Sequence, residues 1–133
     1  MPEATYRAEP FLEAARALDL DVIVASDRCH ILADYWGVPL ALKLNQPEAA
    51  IAEIVRYGLE NHVDAIVATD DKTTLVAAGA CQALGLPHND PEAATASRNK
   101  GIMRDLFARH NVPGPEFRVF GPDENPSIVA EET

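Results

Sequence analysis

Apolar and polar positions along the chain switch between a helical period and an extended one, and the switches predict alternating helices and strands. From Ala8 to Leu18, the residues Phe11, Leu12, Ala15 and Leu18 fall on one helical face. Asp21 then opens D-V-I-V-A-S, a continuous apolar run of the kind buried on both faces of a parallel sheet. Cys29 to Trp36 reads as a short helix or turn. Leu40 to Leu44 alternates leucine with Ala41 and Lys43 and predicts a second strand. Asn45 and Glu48 have the spacing of a capping box, with Pro47 in the first turn. A helix from Pro47 to Asn61 comes next, with Ile51, Ile54, Val55 and Leu59 facing inward. Residues 64–71, D-A-I-V-A-T-D-D, predict a third strand. The helix from Thr73 to Leu84 stops at Gly85, the expected left-handed cap, with Pro87 just beyond. Asp90-Pro91 starts a short helix. Ser97 is the expected N-cap of the next one, whose apolar stripe is Ile102, Met103, Leu106 and Phe107. His110 and Asn111 end that helix, and Pro113 and Pro115 prevent its continuation. Phe117 to Phe120 reads as a short strand.

This alternation predicts an α/β fold: a small open parallel sheet with helices on both faces and right-handed crossovers, Rossmann-like in plan. A doubly wound domain begins with a strand, and here only Met1 to Ala4 precede the first loop, with a proline among them. The first strand is therefore expected to be short or missing. A distorted strand over Glu3 to Tyr6, the Phe117–Phe120 segment, or a partner's strand in a homodimer would each fill its place.

Composition narrows the function classes. The chain has 133 residues, enough for one domain with a real core, and 47% of them are hydrophobic. A net charge of −10 argues against a nucleic-acid partner and against an anionic membrane surface. No apolar run reaches membrane-spanning length, and Met1 to Arg7 carry no apolar signal core, so a cytoplasmic location is expected. Cys29 and Cys81 are too few for a disulfide framework, and neither Cys29-His30 nor Cys81 with His88 has zinc-site spacing. No metal ligand and no catalytic residue is assigned. Nucleophile-elbow and phosphate-loop signatures are absent from the sequence.

Ligands of open parallel sheets bind outside the carboxyl ends of the strands. Three loops are expected there, carrying Tyr6 and Arg7, then Arg28, then Asp70 and Asp71. The arginines can grip a carboxylate or phosphate with a planar fork, or simply be solvated. Asp70 and Asp71 can receive a ligand amine or a metal-bound water, or cap the helix after them. His88 lies near the same edge and is structural or ligand-contacting. Lys100 sits in a first helical turn, where the macrodipole normally favours acids, so an anion is one explanation of its place.

The stretch from Asn99 to Phe117 reads N-K-x-x-x-R-x-x-F-x-x-x-x-V-P-x-P-x-F, carried by Asn99, Lys100, Arg104, Phe107, Val112, Pro113, Pro115 and Phe117. It resembles the junction in ATP-grasp ligases such as biotin carboxylase, glycinamide ribonucleotide synthetase and the carbamoyl phosphate synthetase large chain. There a small α/β domain hands over to the ATP-grasp domain, and the resemblance extends back over most of this chain. It implies a pre-ATP-grasp domain over residues 1–116, with residues 117–133 starting the following domain or forming a mobile tail. It also implies ATP and Mg2+ as cofactors of the full-length enzyme, with none held tightly by this chain. The enzyme would activate a carboxylate as an acyl phosphate for attack by an amine or other nucleophile. Lys100 would reach the nucleotide phosphates. Tyr6, Arg7, Arg28, Asp70, Asp71 and His88 would wall the site of a small-molecule substrate. The chain alone would be inactive, its partner being the missing ATP-grasp domain on the same or a separate chain. The other readings are a free-standing small-molecule-binding or regulatory module and a dimeric interaction domain.

Overall fold

The computed structural model describes residues 8–27 and 40–124. Among them are five helices and a two-stranded parallel sheet, a mixed α/β arrangement. Expectations for Glu3–Tyr6, for Cys29–Trp36 and for the end of the tail beyond residue 124 lie outside the described residues. The chain divides by contacts into two compact units, Met1–Ala94 and Thr95–Thr133.

In the first unit, α1 covers Ala8–Ala17, with Glu9 in its first turn and Arg16 in its last, both matched to the macrodipole. Asp19 adopts a left-handed backbone (φ 54) that closes the helix, and the Leu20 N–H returns to the Ala15 carbonyl at 3.0 Å. Its expected apolar face is only partly used. Leu12 and Ala15 are half-buried, whereas Phe11 and Leu18 are exposed, Leu18 to 69%.

Strand β1 is Ala25–Ser26 and β2 is Leu40–Ala41, paired in parallel with Ala25 opposite Leu40 and Ser26 opposite Ala41. The Leu42 N–H donates to the Ser26 carbonyl at 2.7 Å, carrying the contact one residue further. These strands are much shorter than the apolar runs that predict them. No strand forms over 64–71 or 117–120. Val22 and Ile23, expected to be buried on both faces, are exposed, and Val67 is 67% exposed. The physical reason is that a strand needs another strand to hydrogen-bond to: apolarity records a demand for burial but supplies no pairing partner. Among the described residues, β1 and β2 have only each other.

Helix α2 is Pro47–Glu60 and α3 is Asp71–Leu84. The proline at the start of α2 gives up an N–H that would have no helical partner there. The N-cap of α2 is Gln46, and it makes no side-chain capping bond, so the Asn45–Glu48 capping box does not form. Leu59, expected to face inward, is 78% exposed, while Ile51, Ile54 and Val55 are half-buried. At the other end of α3, Gly85 takes the left-handed cap (φ 69), and its N–H reaches the Cys81 and Gln82 carbonyls.

The core of this unit is Leu40, Leu42, Ala50 and Val76, with Ala25, Leu44, Ile51, Ile54 and Tyr57 packed against it. Small residues let α2 and α3 pack closely. A methyl group added at Gly79 would lie 2.6 Å from Ile51 Cδ1, and one at Gly58 would lie 2.7 Å from Leu84 Cδ1. Ala78, Ala80 and Cys81 complete the buried side of α3.

Helix α4 spans Pro91–Arg98 and crosses the division between the units. Asp90 Oδ1 accepts from the Glu92 N–H at 2.7 Å, as the Asp-Pro pair predicts. The second unit contains α5, Lys100–Arg109, and the segment after it. Asn111 (φ 55) ends that helix, with the Val112 N–H returning to the Phe107 carbonyl at 2.8 Å. The chain then doubles back along α5. Gly114 lies against the Arg104 guanidinium, and Gly101 lies against Val119.

Candidate functional site

Asp70 sits where the apolar segment 64–69 ends and α3 begins. Its Oδ1 accepts from the Lys72 N–H at 2.9 Å and the Thr73 N–H at 3.2 Å, so it is the N-cap of α3. Its backbone carbonyl accepts from the Thr73 and Thr74 hydroxyls at 3.0 and 3.1 Å. The helix therefore starts at Asp71, two residues before the expected Thr73. The other carboxylate oxygen, Oδ2, is buried and has no hydrogen-bond partner among the described residues. A buried acceptor left unpaired costs on the order of 1–3 kcal/mol, a cost that a donor would relieve only by reaching an oxygen that is closed to solvent here. Asp71 is exposed in the first turn, where its charge suits the helix dipole.

Three more polar residues near these chain ends are buried: Ser26, Thr69 and Thr73. The sequence places Ser26 and Thr69 in two of the loops expected at the strand ends and Thr73 at the start of the next helix, without foretelling their burial. Their signal was present, since a hydroxyl residue ends each of two apolar runs and another opens α3.

His88 is exposed, with Nδ1 2.8 Å from the Leu86 carbonyl. A carbonyl only accepts, so this contact assigns the proton to Nδ1 and leaves Nε2 of the neutral ring as an acceptor. Tyr6, Arg7 and Arg28 lie outside the described residues.

Lys100 belongs to the second unit. It is exposed in the first turn of α5, which holds no acidic residue. The N-cap is Asn99, whose Oδ1 accepts from the Gly101 N–H at 3.0 Å and the Ile102 N–H at 3.2 Å. This corrects the expectation for Ser97, which lies inside α4. Chain direction breaks at Asn99 (φ −129, ψ 107), so the cap falls two residues later than the serine suggested. Asparagine is as good a cap as serine, and its place immediately before the lysine was the overlooked signal. Because Asn99 already takes two of the free N–H groups, an anion at this end would be held chiefly by the Lys100 ammonium. The expected stripe Ile102, Met103, Leu106 and Phe107 is half-buried throughout.

Among the described residues, no three of His, Cys, Asp and Glu group in a way that could hold a metal ion. No helix among them is long and apolar enough to cross a membrane.

No curated protein and no solved structure matches the chain. The family model of the ATP-grasp N-terminal domain matches residues 12–88, more than half of the 133. That span contains Arg28, Asp70, Asp71 and His88, while Tyr6, Arg7 and Lys100 fall outside it. On the strength of this match over the α1–β1–β2–α2–α3 unit, the chain belongs to the family of ATP-grasp N-terminal domains.

Proposed function

We propose that the chain is the N-terminal domain of an ATP-dependent ligase similar to biotin carboxylase, glycinamide ribonucleotide synthetase or the carbamoyl phosphate synthetase large chain. The family match over residues 12–88 carries this reading, and the Asn99–Phe117 junction pattern supports it. Residues 1–116 form the pre-ATP-grasp domain, Rossmann-like in plan, and residues 117–133 lead into the ATP-grasp domain. The ligase works in the cytoplasm on a small-molecule substrate. It uses ATP and Mg2+, which supply phosphoryl transfer to a carboxylate before a nucleophile attacks.

This chain's own residues bind and orient. Lys100 offers a single point charge to the nucleotide phosphates, and its exposure in an acid-free first turn supports that role. Asp70 receives an N–H or O–H of the substrate at Oδ2 once the chain around that closed-off oxygen moves to admit it, while Oδ1 holds the start of α3 in place. Tyr6, Asp71 and His88 are further substrate contacts in this proposal, and Arg7 and Arg28 grip a carboxylate or phosphate of the substrate.

The chain alone does not catalyse. Micromolar affinity for ATP needs about 8 kcal/mol. One exposed charge contact supplies at most about 1 kcal/mol. The remainder must come from the ATP-grasp domain on the same or a separate chain. The test is an assay of ATP-dependent ADP release with the chain alone and with that domain supplied. ADP release only in the second case is expected, and turnover by the chain alone would overturn the reading.

Exposed Val22 and Ile23 favour a second reading, a homodimeric interaction domain whose sheet edge is completed by a second copy. Light scattering decides it. A dimer that dissociates on Ile23→Lys supports the reading, and a monomer at every concentration rules it out.

A further inference from the structure

We draw no further inference here: the strongest candidate, the buried Oδ2 of Asp70 at the N-terminal end of α3, belongs to the substrate wall already proposed, and no second observation at that helix end points to a ligand of its own.

Discussion

The two carboxylate oxygens of Asp70 stand in different situations, and only one of them has a partner among the described residues. Oδ1 caps α3 and Oδ2 is buried without a partner among the described residues. Asp70→Ala removes the cap and should cost about 1 kcal/mol in urea denaturation. Asp70→Asn keeps a capping oxygen and should keep most of that stability while weakening substrate binding in the complete ligase. Equal losses of stability in the two variants would show that charge, not capping geometry, is what matters there. Glu53 gives a pH-dependent counterpart. A hydrogen bond from Arg56, aided by the arginine's charge, holds its carboxyl below the usual range. A depressed folded-state value adds stability above the unfolded value and loses it as pH falls through the folded one. Both side chains are well exposed, so solvent screening keeps the contribution small. Glu53→Gln should therefore lower stability slightly at pH 7 and leave it unchanged in acid, below the folded-state value, read by denaturation at both conditions. At Cys81, burial pushes the thiol up from its ordinary value. In a Cys29→Ser background it should react with a thiol reagent only as the chain unfolds. Fast labelling of the folded chain would contradict its burial.

At the scale of elements, helices were legible in the sequence, whereas of the strands only the positions and parallel pairing of β1 and β2 were, and not their lengths. The α2 and α3 spans come from Pro47, Asp70 and Gly85, residues whose effects are local and need no distant partner. The failures share one cause. Leu18, Leu59 and Val67 are apolar at the right period, yet each is exposed, because period reports which side chains would share a face and not whether anything covers that face. Ser97 failed for a different reason: Asn99, an equally suitable cap, lies two residues on, and only the backbone direction chooses between them, whereas at Asn45 the cap position falls to Gln46, which makes no side-chain bond. Of the candidate site, the capping role of Asp70 could be read in advance, whereas the separate burial of its Oδ2 could not. Gly85 provides a test confined to one element. No atom lies within 4 Å of a methyl group added there, so Gly85→Ala should lose about 1 kcal/mol from the left-handed backbone alone. Gly85→Asn should lose less. Gly79 behaves differently, because an added methyl meets Ile51 Cδ1 at 2.6 Å and Cγ1 at 3.3 Å, and the Ile51 side chain must shift to admit it. Alanine there should be close to neutral, since it also gains helix propensity. Gly79→Val should destabilise by about 1–3 kcal/mol through overpacking against α2. Both are read from shifts in the denaturation midpoint.

For the whole molecule, the account rests on division of labour between this chain and an ATP-grasp domain. The family match covers residues 12–88 of the first unit, and Lys100 lies in the second, so the two halves of the argument stand on different residues. The most direct measurement is a calorimetric titration of Mg-ATP into the chain alone, into the chain with the ATP-grasp domain, and into that assembly carrying Lys100→Ala. The account predicts no saturable binding at micromolar nucleotide for the chain alone. It predicts micromolar binding by the assembly, weakened several-fold by Lys100→Ala. Micromolar binding by the chain alone, or an assembly indifferent to Lys100→Ala, would contradict it.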